Sequence, residues 1–290
     1  MALAMAMRMA LLGCVTVSLR RSIIFVLLTK IQVPVDLGIL IYESNISLAL
    51  WVCFIVAPFV GALATFYTGF GLNTILVPVF MIYWDAPMAV LMAGLVHLSN
   101  NILKVALTAR SIDWHLFRNF GALAILFAFL GAFLLNQISA ATSIYLKPIF
   151  GAIFICFALL ELFNWQLSLR GAWSMRFGGM LSGFFGGFSG HQGALRAMFL
   201  SKLKLEPLVF VATTALISLL IDITRIGVYL SDQNMMHYDA TYLMFLVIPS
   251  ALAGTLIGRK YIKKIKHEKL SMLVGAALLF MGFAMLLGWI

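Results

Sequence analysis

The sequence predicts an all-α polytopic membrane protein of two inverted repeats. Each repeat is a broken or re-entrant helical hairpin plus three transmembrane helices, about eight helical membrane segments in all. Three observations predict it. The 290 residues are 63% hydrophobic and 10% charged, with mean hydropathy +1.06; soluble domains carry about 25% charged residues. Residues 44–84, 119–146, 240–258 and 270–290 contain no Asp, Glu, Lys, Arg or His, and a spanning helix needs about 20 mainly apolar residues. Glycine-rich polar knots interrupt the apolar sequence at 67–74, YTGFGLNT, and at 183–196, GFFGGFSGHQGALR.

The net charge of +10 does not point to nucleic acid. The basic residues cluster at the ends of apolar segments, as orientation by positive loops requires. The chain carries no HExxH, GxSxG or Walker-type loop and no carboxylate cluster for a metal. No enzyme activity, cofactor or metal is expected. Cys14, Cys53 and Cys156 lack CxxC spacing and lie in apolar surroundings, where they read as small core residues.

Residues 1–45 form an N-terminal extension whose status the sequence leaves open: one poor crossing, an interfacial segment, or an upstream extension from a mis-set start codon. Arg8 comes early, and Arg20 and Arg21 follow the apolar run, the wrong order for a cleaved signal. The first repeat covers 46–164. Its hairpin, 46–84, begins after Glu43 and ends at Asp85, neither of them basic, so it enters from outside and returns. Segment 86–108 then runs inward to the loop of Arg110 and Arg118, 117–138 runs out to the uncharged NQISAATS, and 145–164 returns, with Glu161 near its end expected to reach interfacial water.

The second repeat covers 174–290. Segment 174–201 is flanked by Arg170 and Arg176 on one side and by Lys202 and Lys204 on the other. Both ends read as cytoplasmic, so the segment must enter and come back, with GFSGHQG as the turning point. Segment 207–230 leaves, SDQNMMHYD has no Lys or Arg and is external, 240–258 returns to the loop of Arg259, Lys260, Lys263, Lys264, Lys266 and Lys269, and 270–290 leaves again. Each half makes an odd number of crossings, which inverts one relative to the other. The knots align with one inserted residue: Phe66 on Phe184, Gly69 on Gly187, Asn73 on Gln192. Downstream, Asn101-x-x-Lys104 falls on Asp222-x-x-Arg225.

Irregular backbone in hydrocarbon is tolerated where protein or a water-filled cavity satisfies it. After each knot a short helix begins, with unpaired N–H groups at the positive end of its dipole. Two such ends near the midplane make an anion cradle. Gly69, Gly71, Asn73 and Thr74 form one candidate half-site; Gly187, Ser189, Gly190, His191, Gln192 and Gly193 form the other. Arg196 either balances an anion's charge or snorkels to the cytoplasmic end. Two crossing segments carry polar stripes on one helical face: His97, Asn101, Lys104 and Thr108, and Thr214, Ser218, Asp222, Arg225 and Tyr229. Asp222 and Arg225 can pair at i,i+3, or Arg225 can serve the anion. His97 either relays protons or is a hydrogen-bonded core histidine. Lys104 either joins this face or snorkels.

GFFGGFSGHQGALR resembles the second-repeat signature of the TauE/SafE sulfite-exporter family of bacterial permeases, and GFGLNTILVPVF, with Pro78, resembles the first. The likeness covers roughly 46–290. It implies a secondary carrier in the bacterial inner membrane for sulfite, sulfonates or related sulfur-containing or carboxylate anions. The sequence departs from the family in the first knot, where Leu72-Asn73-Thr74 replaces a run of adjacent glycines, and in its extension. The expected partners are a small anion and the lipid bilayer, with a homo-oligomer open and no nucleic acid. Other classes remain: a channel-like anion pore, a non-transporting scaffold subunit, or a cation carrier using Asp222.

Overall fold

The computed structural model describes residues 48–68, 71–141, 145–163, 172–200, 203, 205–231, 238–261 and 267–289. The expectations for residues 1–45 and for Gly69 fall outside them. The chain divides into two compact units, Met1–Val52 and Cys53–Ile290. Every contact described below lies within the second.

Among the described residues the regular structure is entirely helical. In order, α1 is Leu48–Thr68, α2 Leu72–Met81 and α3 Ala86–Thr108. A helical turn at Trp114–Leu116 passes through a π-turn at Phe117–Gly121 into α4, Ala122–Ala141. Then come α5 Leu146–Leu162, α6 Ala172–Phe188, α7 Gly193–Leu200, α8 Pro207–Tyr229, α9 Tyr238–Tyr261 and α10 His267–Leu286. The apolar segment 46–84 is thus two helices that break at the first knot, and 174–201 is two that break at the second.

Local chemistry sets the starts. Asp85 precedes α3 and Glu206 precedes α8, each followed by a proline in the first turn, where a missing N–H leaves no helical bond unmade. Asp113 caps the turn before α4: its Oδ1 accepts from the amides of His115 and Leu116 at 2.9 and 3.0 Å. Gly71 opens α2 at φ 114°, and Gly190 lies in the second knot at φ 79°. Both are left-handed conformations that cost a residue with a Cβ about 1–2 kcal/mol.

The helices pack in close pairs. α6 lies along α4, α10 along α5, and α8 across α3 and α4; α9 packs on α3, α2 on α3 and α10, and α7 on α6 and α5. Gly179, Gly183 and Gly187 recur every fourth residue on α6. A Cβ on each would run into the carbonyls of Phe120, Ala124 and Ala128 respectively. Gly254 and Gly258 of α9 meet the carbonyls of Phe59 and Leu63 of α1 in the same way. Such small-xxx-small faces let backbones approach where lipid leaves no hydrophobic drive between helices.

The polarity is that of a membrane protein. Leu126, Phe129, Phe133, Phe245 and Phe280 face outward, while Asn101, Gln192, Arg196, Asp222 and Arg225 are buried, the reverse of a soluble domain. Ala86–Ser111, Trp114–Ser139, Pro207–Tyr229 and Leu243–Lys260 are long and apolar enough to span a bilayer. Two small expectations need correction. Cys53 and Cys156 lie on the outer surface, not in the core, because each falls on the lipid-facing side of its helix. Glu161 is buried, because its face of α5 turns inward.

Candidate functional site

The two knots and the polar faces of α3 and α8 meet in the interior. The knots touch directly: Asn73 Nδ2, in the first turn of α2, donates to the carbonyl of Gly190 at 3.3 Å. Ser182 Oγ donates to the carbonyl of Gln192 at 3.0 Å and ties the second knot back to α6. The first helical bond of α7 runs from Arg196 N to Gln192 O, and that of α2 from Ile75 N to Gly71 O. The amides before each have no intrahelical partner and lie at the positive end of a helix dipole.

Arg196 leaves the first turn of α7 and crosses to α8. Nη1 donates to Thr214 O at 2.9 Å and to Ser218 Oγ at 2.8 Å. Nη2 donates to Gln192 Oε1 at 2.8 Å. The side chain is 2% exposed, so it does not snorkel. All three acceptors are neutral, and Nε has no hydrogen-bond partner. Because Gln192 Oε1 receives Arg196, its Nε2 is the group left free.

One turn further along α8 stands a second cation with its counter-ion. Asp222 and Arg225 form the i,i+3 pair that their spacing allows: Arg225 Nε donates to Oδ1 at 3.0 Å and Nη2 lies 2.7 Å from it. Oδ2 takes two groups from α3, His97 Nδ1 at 2.6 Å and Asn101 Nδ2 at 3.2 Å. The guanidinium rests against Gly94 of α3 and reaches the second knot. A Cβ on Gly190 would lie 2.9 Å from Nη1, and Nη1 donates to Gly186 O at 3.4 Å. Tyr229 OH donates to Gly187 O.

His191 faces the other way. Its Nδ1 lies 2.8 Å from Ser189 O; a carbonyl only accepts, so Nδ1 carries a proton. The ring lies between Phe154 and Phe157 of α5, with centroids 4.8 and 5.5 Å away. Thr74, Ser189 and Lys104 are buried, and Gly193 is the first residue of α7. Gly187 belongs to the last turn of α6 and packs on α4. Among the described residues no group of three or more His, Cys, Asp or Glu could hold a metal.

The arrangement has two buried guanidiniums, one carboxylate and, at the start of α7, two donors without a hydrogen-bond partner, Arg196 Nε and Gln192 Nε2, while at the start of α2 the unpartnered atom is the acceptor Asn73 Oδ1. The surplus of positive charge at the α7 end suits a small anion. Residues 51–285 match the family described as sulfite exporter TauE/SafE. The chain belongs to that family. Its members are membrane transporters, and with the apolar helices this makes the chain a multi-pass membrane protein. No curated protein and no solved structure matches the chain.

Sequence reasoning missed several residues of this candidate site. Gly94 gives Arg225 its resting place, Ser182 secures the second knot, and Phe154 and Phe157 hold His191. A glycine or serine in a hydrophobic helix and two phenylalanines three apart carry no signal of a site. The partner that gives each meaning is remote in the chain.

Proposed function

We propose that the protein is a secondary transporter that carries a small anion, sulfite, a sulfonate or a related sulfur-containing or carboxylate anion, across the bacterial inner membrane. One observation carries the reading: Arg196, buried beside the N-terminus of α7, hydrogen-bonds only to neutral acceptors and leaves its Nε without a hydrogen-bond partner. A buried cation is costly in a bilayer, and an anion bound here removes that cost. Asn73, Thr74, Gln192 and the amides that open α2 and α7 complete the cradle, Arg225 adds charge from α8, and His191, turned towards α5, braces the second knot from behind.

In this reading residues 46–164 and 174–290 are inverted repeats around the cradle. The packing supports it. Exchanging α1 with α6, α2 with α7, α3 with α8, α4 with α9 and α5 with α10 turns several of the packed pairs into one another, though among the described residues the α2–α3 pair has no equally close α7–α8 counterpart. The α6–α4 pair becomes α1–α9, joined by the Gly254 and Gly258 contacts and by Ser250 Oγ to Ile55 O at 2.5 Å. The α8–α4 pair becomes α3–α9, and α10–α2 becomes α5–α7, while α3–α8 and α5–α10 map onto themselves. Gly71 and Gly190, with their positive φ, exchange as well. Rocking of the two repeats about the site would give alternating access.

The test is counterflow of labelled sulfite into liposomes holding purified protein, with sulfate, thiosulfate, sulfoacetate, taurine and acetate as competitors. Saturable counterflow in the wild type, lost in a folded Arg196→Gln variant, is the expected result. Flux that does not saturate and shows no trans-stimulation would make the protein a pore. No flux of any of these anions through folded protein would remove the transport reading.

A further inference from the structure

Among the described residues, Asp222 is the carboxylate paired with a buried guanidinium, and it occupies the place an anion would take beside Arg225. Both its oxygens are filled: Oδ1 by Arg225, Oδ2 by His97 and Asn101. It is 0% exposed, as is Arg225. The cluster joins α3 to α8, the two crossing helices that exchange with each other in the proposed repeat. It is also continuous with the anion cradle. Ser218, one turn before Asp222, holds Arg196, and Arg225 lies against Gly190 of the second knot.

From this juxtaposition we infer that the His97–Asp222 pair is a proton-binding site coupled to the anion, with Asp222 an internal counter-anion that competes with the substrate for Arg225. The inference rests on the anion-carrier reading and adds the coupling ion to it. With His97 neutral, its Nδ1–H donates to Asp222 Oδ2 at 2.6 Å, Asp222 neutralises Arg225, and the cradle offers only Arg196. A proton from solvent adds at His97 Nε2, forming the imidazolium, and is held by the pair. It cancels the carboxylate's negative charge, and the positive charge of Arg225 becomes available to the incoming anion. No other bond forms or breaks. Proton and anion therefore bind together and leave together, each raising the other's affinity by the same factor.

The surroundings give the carboxylate few other partners. From α3 the nearby ionisable groups are His97 and Lys104; from α7, Arg196; from the second knot, His191; from α8 itself, Arg225 and Tyr229. α4, which also packs on α8, carries no ionisable residue of these types from Ala122 to Ala141. The only one on α6 is Arg176, in its first turns. Among these neighbours His97 is the one whose ring nitrogen is hydrogen-bonded to the Asp222 carboxylate, so it is the group that can share a proton with it.

The experiment measures sulfite counterflow and pH-gradient-driven sulfite accumulation in the same proteoliposomes, for wild type, Asp222→Asn and His97→Gln. In the wild type the KM for sulfite falls as the entry side is acidified, with a limiting slope of about tenfold per pH unit for one linked proton. In Asp222→Asn the slope flattens and the ratio of gradient-driven to exchange flux falls by about tenfold or more. In His97→Gln the midpoint of the pH profile moves. A slope that arose from sulfite's own titration would persist unchanged in both variants and would overturn the proposal. So would wild-type counterflow that ignores pH. Absence of wild-type counterflow would instead remove the carrier reading, and the coupling with it. Should Asp222→Asn fail to fold, the wild-type slope and the His97→Gln midpoint decide alone.

Discussion

Gly190 and Gly227 separate two kinds of glycine. Gly190 has φ 79°, and an added Cβ would stand 2.9 Å from Arg225 Nη1. Gly227 has nothing within 4 Å and lies exposed on α8. Gly190→Ala should lower thermal stability in detergent by about 1–2 kcal/mol from the backbone alone and should depress transport by displacing Arg225. Gly227→Ala should cost neither, since alanine is the better helix former by about 1 kcal/mol. Equal effects would show that the turn does not need its left-handed glycine. Arg196 makes the second prediction at this scale. Its hydrogen bonds carry charge, and removing the charge from such a bond costs about 1.5–3 kcal/mol. Arg196→Gln should therefore weaken sulfite affinity by about ten- to hundredfold, and Arg196→Lys should restore part of it. A lysine variant no better than glutamine would mean that shape, not charge, is read there.

At the scale of helices, the α4–α6 contact carries the closest packing. Gly183 faces the carbonyl of Ala124, and its neighbours Gly179 and Gly187 face Phe120 and Ala128. Backbone cannot move aside as a flexible side chain can, so Gly183→Ala has to push the helices apart. Overpacking of this kind costs about 1–3 kcal/mol. Thermal unfolding should show Gly183→Ala clearly less stable than Gly227→Ala. If the α1–α9 contact is the repeat of this one, Gly258→Ala, against Leu63, should behave like Gly183→Ala. A harmless Gly258→Ala would separate the two contacts.

For the whole molecule the decisive property is orientation. Asp85 and Glu206 occupy matching places, each exposed and each leading into a long central helix through a proline. If the repeats are inverted, these two residues lie on opposite faces of the membrane. In a background without Cys14, Cys53 and Cys156, Asp85→Cys should react with an impermeant thiol reagent from outside the intact cell. Glu206→Cys should react only after the inner face is opened. Labelling of both from one side would end the inverted arrangement, and with it the two-fold logic of the cradle.

Much of this was legible in the chain. Hydropathy and uncharged length determine that the protein is helical and membrane-embedded, because backbone in hydrocarbon must pair within its own segment. The breaks between α1 and α2 and between α6 and α7 were legible for the same reason: glycines interspersed with polar residues are a poor continuation of an apolar helix. The i,i+3 spacing of Asp222 and Arg225 also foretold their pairing, since a helix brings those positions to one face. Tertiary structure alone decided which remote groups complete each site. It set Arg196 on Ser218 and Thr214, Asp222 on His97 and Asn101, and Gly94 under Arg225. It also turned Glu161 inward and Cys53 and Cys156 outward. Periodicity tells which residues share a face, but which face meets another helix depends on how the backbones fit, and here that fit rests on glycines placed against carbonyls far away in the sequence.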